Sequence, residues 1–138
     1  MNKEEKNLLL IDISGRIPYN VKCEVKDNVR DGKKIVSSRT KVITASFSSS
    51  ELSWFFYQGC LTSLRPYLRS LSKMTDKEKW ECIGFSRIKS ISNIHQLIDF
   101  NIPNPDFINW LNAHHFDYRD LIPKGLAIEA PDDMYVIE

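Results

Sequence analysis

The residues best equipped for chemistry in this 138-residue chain are two adjacent histidines, three cysteines and a few paired carboxylates. His114 and His115, with Asp117 two residues on, have the donor types of a metal site. Adjacent helical residues point about 100° apart, however, so the two rings cannot easily reach one ion. The spacing favours His114 on an apolar helix face and His115 exposed or hydrogen-bonded. Cys23, Cys60 and Cys82 lie far apart with no C-x-x-C pair, which is neither a zinc pattern nor a disulfide framework and fits a reducing cytoplasm. A Cys–His nucleophile pair with His95, His114 or His115 would require the groups to meet in space. Asp132 and Asp133 read as solvated. There is no G-x-S-x-G, no glycine-rich phosphate loop, no H-E-x-x-H and no nucleotide fingerprint. No catalytic residue, metal or cofactor is assigned, and a non-enzyme is expected.

Two groups of residues suit contact rather than catalysis. Arg16, Lys22, Arg65, Arg69 and Lys73 are candidates for a basic strip that meets phosphates or a partner protein. Trp54, Phe55 and Tyr57 are candidates for an aromatic contact, since exposed rings beside basic residues hold single strands by stacking. The same aromatic run also fits a strand in the middle of a sheet. The formal net charge is only +1, which argues against a general nucleic-acid binder held by phosphate contacts alone. The charge is nonetheless uneven. Residues 14–41 hold eight basic and three acidic side chains, and residues 99–138 hold two basic and eight acidic. Such halves either attract each other across the fold or form a dipolar surface.

The elements that must position these groups follow from local patterns. Asn104-Pro105 is a helix start, with Asn as cap and Pro at the first helical position. Phe107, Trp110, Leu111 and His114 follow on one helical face, and the helix should stop near His115. Asp117 is a plausible cap for a turn over 118–122, ended by Pro123 and Gly125. Residues 126–129 read as a short strand. Trp110, Phe116, Tyr118, Leu121 and Leu126 are expected in the core, with His114 and Gly125 in structural roles. Near the N-terminus, residues 3–13 fit a helix ended by Gly15, although Leu8–Ile13 also fits a strand. Val21, Cys23 and Val25 alternate with charged residues as a half-buried strand, and Asp31-Gly32 signals a hairpin. Residues 34–47 read as two strands or one bent strand, and 52–57 as another. Residues 61–67 read as a short helical turn before Pro66. Thr75 and Glu78 have capping-box spacing for a helix to about Ile83, and apolar positions from Ile88 to Ile98 suggest further short elements.

Three segments carry a resemblance: 16–22 (RIPYNVK), 64–79 (LRPYLRSLSKMTDKEK) and 110–135 (WLNAHHFDYRDLIPKGLAIEAPDDMY). Together they resemble a family of uncharacterised small proteins common in gut Bacteroidetes and in their phages and mobile elements. Those proteins usually carry Gly at the positions of Asn20 and Asp120, and Pro at Ser70. The resemblance implies a phage or mobile-element context and brings no catalytic residue.

The expected fold is a single α+β domain: an N-terminal antiparallel sheet or small SH3-like barrel (about 14–60), with a mostly helical part (about 61–138, including a short final strand) packed on it. With no signal peptide and no stretch long enough for a membrane span, the chain is expected in the cytoplasm, host cytoplasm if phage-encoded. The expected function is a binding or adaptor protein that contacts another protein. The alternative is a nucleic-acid-binding accessory protein that uses the basic strip.

Overall fold

The structure is a computed structural model that describes residues 2–46, 48–58, 63–86 and 105–135. His95, Cys60, the Asn104 cap and the apolar positions between 88 and 98 lie outside the described residues. The fold is α+β. Helix α1 (Lys3–Arg16) starts at Asn2, whose side chain accepts from the Glu5 N–H at 2.8 Å. Glu4 and Glu5 sit in its first turn and Arg16 in its last, the order the helix dipole favours. The helix does not stop at Gly15. There it passes close to a second helix, where an added Cβ would stand 3.1 Å from the Asn112 side chain. A 3-10 turn (Ile17–Tyr19) follows, ended by Asn20 in the left-handed region at φ 60°.

Strands β1 (Lys22–Asp31) and β2 (Lys34–Thr44) form one long antiparallel hairpin. Its turn uses Gly32 at φ 64°, and a register shift falls at Val29/Arg30. Strand β3 (Ser63–Leu68) pairs with β1 only over Cys23–Lys26, and β4 (Ile128–Glu129) joins β3 in parallel. The order β2-β1-β3-β4 is an open mixed sheet, so the barrel alternative is excluded. The helical turn expected at 61–67 is also corrected, because Ser63–Leu68 is strand. Pro66 marked the end of a helix in the sequence. Here it is buried in β3 one residue before β4 pairing begins at Tyr67, where the strand has a neighbour on one side only.

The aromatic run is helical, not strand. Helix α2 (Ser50–Ser53) leads into a π turn (Trp54–Gln58). Leu52 and Phe55, three apart, face the core, a spacing that overrides the strand preference of aromatic residues. Helix α3 (Asp76–Ser86) opens with the expected reciprocal cap: Glu78 N–H donates to Thr75 Oγ1 at 3.2 Å, and Thr75 N–H to Glu78 Oε1 at 2.9 Å. It continues past Gly84. Helix α4 (Pro105–Ala113) ends in a Schellman turn, with Phe116 N–H on Leu111 C=O at 3.0 Å and His115 N–H on Asn112 C=O at 3.1 Å. His115 takes the left-handed position at φ 61°, where glycine is usual. Asp117 then caps the next turn through the Leu121 and Ile122 N–H groups, both at 2.9 Å.

Two apolar clusters result. The larger joins α1, the sheet and α2 through residues such as Leu9, Ile13, Val21, Leu64, Leu68 and Leu121. The second gathers Met74, Cys82, Phe107, Leu111, Phe116 and Tyr118. A buried polar seam joins them. Arg16, fully buried, holds Asp12 through two bonds (2.9 and 3.0 Å) and donates to the Phe116 carbonyl at 2.6 Å. Arg119 donates to the same Asp12 carboxylate at 2.7 Å. Arg69 grips Glu78 through both guanidinium arms (2.8 and 2.7 Å) and lies 4.3 Å over the Phe116 ring. Its backbone pairs with the chain after α4: Arg69 N–H to His115 C=O at 2.7 Å, and Asp117 N–H to Arg69 C=O at 2.8 Å.

A charge stripped of water and left without its partner is far more costly than a solvated one. Asp12→Ala, which leaves Arg16 buried with no carboxylate, is therefore expected to cost about 3–5 kcal/mol, read as a lower urea midpoint at unchanged slope. Glu24→Ala breaks the half-exposed Arg65–Glu24 pair and should cost under about 1 kcal/mol. Equal losses would contradict the role of burial.

Candidate functional site

The basic residues do not form a strip. Arg16 and Arg69 are buried in the seam, so neither offers its charge to a partner, a correction to their assignment as contact residues. Arg65 is half-buried and bonded to Glu24 at 2.9 Å. The half-buried Lys22 gives its backbone N–H to the Tyr135 hydroxyl at 3.0 Å. Lys73 is exposed and lies 3.4 Å from both Glu129 and Asp132. It lines a small cavity of about 150 Å³ with Arg69, Ala130, Pro131, Asp132 and Tyr135. The cations there already face carboxylates, so that cavity presents no unmatched charge. The acidic C-terminal part thus meets Lys73 directly.

The histidines are held apart. His114 stacks against Trp110 (4.3 Å between ring centres) and lies near Phe116, with Nδ1 2.9 Å from the Trp110 carbonyl. Trp110 in turn donates to Glu81 at 2.9 Å. His115 lies flat on Tyr135, ring centres 3.7 Å apart. Tyr118 sits in the second cluster and donates to Asn112 at 2.8 Å, and Gly125 takes φ 75° in its turn. Among the described residues no three His, Cys, Asp or Glu side chains gather as a metal site requires. Burial, with the Asp12 charge adding to it, pushes the Cys23 thiol up to about 12, and burial pushes Cys82 to about 11. Both thiols are therefore protonated at neutral pH and poor nucleophiles. Among the described residues no helix is long and apolar enough to cross a membrane.

The aromatic candidates divide. Phe55 is 6% exposed and belongs to the core, which corrects its assignment as a contact. Trp54 is 39% and Tyr57 76% exposed, three residues apart on the outer side of the π turn. Tyr57 lines a groove of about 270 Å³ between α1 and the α2–π segment. Its apolar side chains are Leu10, Ile13, Ile17, Leu52 and Phe56, with Ser14, Ser46, Ser49 and Ser53 between them. Exposed Ile11 stands beside Leu10 on α1. Among the described residues no charged side chain lines this groove. π turns interrupt α-helices frequently at functional sites.

Of the three aromatic candidates only Tyr57 lines the groove, and sequence reasoning missed the α1 half. The signal was present: Leu10, Ile13, Ser14 and Ile17 stand at i, i+3, i+4 and i+7, a second stripe beside the buried Leu9–Ile13 stripe. A helix ended by Gly15 leaves Ile17 outside the stripe, whereas the helix runs to Arg16 and leads directly into the Ile17–Tyr19 turn. No family model, curated protein or solved structure matches this chain.

Burial holds the His115 imidazole down to about 4, reinforced by the Arg16, Arg69, His114 and Lys22 charges. Its folded value is depressed below the unfolded 6.5, so the unfolded chain binds a proton that the folded one refuses. Stability should be unaffected by this group above pH about 6.5 and fall by about 1.4 kcal/mol per pH unit from there toward about 4. Glu78, held down to about 2 against its own burial by bonds from Arg69 and Thr75, loses its contribution only below about 4.5. Urea midpoints between pH 7 and pH 5 therefore isolate the histidine. His115→Asn, which tolerates the left-handed backbone, should flatten that segment. An unchanged slope would assign the effect elsewhere.

Proposed function

We propose that the protein is a non-enzymatic binding or adaptor protein that takes an apolar, helix-forming segment of another protein into the groove between α1 and the π turn. The observation that carries this reading is the exposed Tyr57 ring on the wall of an uncharged groove floored by Ile13 and Leu52. Support comes from size and chemistry. A volume of about 270 Å³ lies below the roughly 300–1,000 Å³ typical of small-molecule clefts. It suits one or two anchoring side chains. Exposed Tyr and Trp are the residue types that most often carry interface energy, and a helix in a groove presents anchors at i, i+3 and i+4. The serines can satisfy polar groups at the rim. The sequence resemblance supports a phage or mobile-element setting in Bacteroidetes, with the host cytoplasm as the place of action.

A displayed library of helical peptides selected on the wild-type protein tests this. Enriched peptides should carry aliphatic or aromatic anchors at helical spacing. They should lose about 2 kcal/mol or more of binding on Tyr57→Ala, with the thermal midpoint unchanged. Peptides that bind Tyr57→Ala and Trp54→Ala as tightly as wild type would sink the proposal.

A further inference from the structure

The chain carries its own version of the anchor that the groove suits. Trp54 and Tyr57 stand three residues apart on the outer side of the π turn, 39% and 76% exposed. That is the i, i+3 spacing of a helical segment that docks in a groove. Tyr57 also lines the groove itself. Anchor and receptor therefore lie side by side on one face. A two-fold interface needs this arrangement, because each copy there presents the same patch to the other. Exposed Ile11, next to Leu10 on α1, widens the apolar rim.

The chemistry of the groove selects a ring with a polar tip. Its floor is Ile13 and Leu52, both buried. Ser14 on α1 and Ser53 on α2 line its two sides, and their hydroxyls bond to no other group among the described residues. Ser46 and Ser49, by contrast, are already paired, Oγ to Oγ at 3.1 Å. A tyrosine taken out of water needs apolar surroundings for its ring and a partner for its hydroxyl. The groove offers both. Charge does not oppose the match. A two-fold axis sets like against like, so a charged patch would repel its copy. Among the described residues no charged side chain lines this patch, and Glu51 on α2 is neutralised by Lys41 at 2.9 Å.

We infer that a second copy of this chain caps the groove when no partner segment is present, an inference that rests on the groove being a docking site. Tyr57 of each copy enters the groove of the other, its ring over Ile13 and Leu52 and its hydroxyl against Ser14 and Ser53. The cap is weak by size. Two aromatic rings exposed to this degree offer on the order of 200 Å² per copy. Counted with the walls they cover, the contact stays below the roughly 1,200 Å² at which stable interfaces begin. The dissociation constant should therefore lie at roughly 10 µM to 1 mM. Self-association of this strength sets a threshold, because only segments that bind more tightly than the second copy reach the floor of the groove.

Sedimentation equilibrium of the full chain from about 5 µM to 1 mM tests the cap. The average mass should rise from monomer toward dimer across that range. Tyr57→Ala should weaken the dimer by about tenfold or more. Tyr57→Phe, which keeps the ring and loses the hydroxyl, should weaken it by about fivefold or more. Ser14→Glu, at an exposed position on the receptor side, should match Tyr57→Ala, and it serves if Tyr57→Ala folds poorly. A helical peptide selected on the wild-type protein should return the sample to monomer. Three results would each overturn the cap: a monomer at every concentration, a dimer of unchanged affinity in both Tyr57→Ala and Ser14→Glu, or a dimer that persists in saturating peptide. The first leaves the peptide reading standing wherever selected peptides still lose affinity on Tyr57→Ala. Conversely, a Tyr57-dependent dimer beside a library that enriches no peptide supports the cap and counts against the peptide reading.

Discussion

Arg16 is the constraint on which the rest of the molecule depends. Its guanidinium is out of water, and a charge there must be matched by an anion and by acceptors in fixed places. Asp12, one helical turn earlier, supplies the anion, and the Phe116 carbonyl supplies an acceptor from a segment 100 residues away. Hydrophobic packing is non-directional and could let α1 slide on the sheet. The seam cannot slide without exposing or orphaning a charge. It therefore fixes the register between the two apolar clusters, and Arg69 with Glu78 repeats the device on the other side of Phe116. Among the described residues, three buried side-chain nitrogens have no hydrogen-bond partner: Arg16 Nη1, Arg65 Nε and His115 Nδ1. Arg16 and His115 lie in the seam, and Arg65 lies on β3.

With its registration fixed internally, the molecule has its strongest side chains committed to its own cohesion. Four of the five cations singled out as contacts make side-chain ion pairs, and two of these are buried. The uncharged groove lies at the periphery, at the base of the hairpin, and Ser46, which follows β2 closely, lines it.

The parts of the fold written in local chemistry were legible. The Thr75–Glu78 capping box, the Asp31-Gly32 turn and the α4 stripe all depend on residues close in sequence, and all are present. Elements decided by distant contacts were not. Pro66 spoke locally for a break, yet pairing with Cys23 makes β3 continue through it. Trp54–Tyr57 has strand composition, yet burial of Leu52 and Phe55 imposes a helical period. Arg16 and Arg69 read as surface cations because lone arginines usually are. Their carboxylates are close in sequence, Asp12 at i−4 and Glu78 nine residues on, but only the three-dimensional stacking around Phe116 removes the water.

The Tyr135 hydroxyl joins strands made much earlier in the chain: it accepts from Lys22 N–H at 3.0 Å and donates to the Tyr67 carbonyl at 2.7 Å. Burial pushes it up to about 12, so it stays a donor at any physiological pH. During synthesis, β1 and β3 must therefore wait at that point until translation has passed residue 135 and the tyrosine has cleared the ribosome. Closures between segments so distant are slow. A nascent chain arrested short of that tyrosine would carry an unfinished sheet margin and an uncovered His115, the sort of surface that chaperones hold.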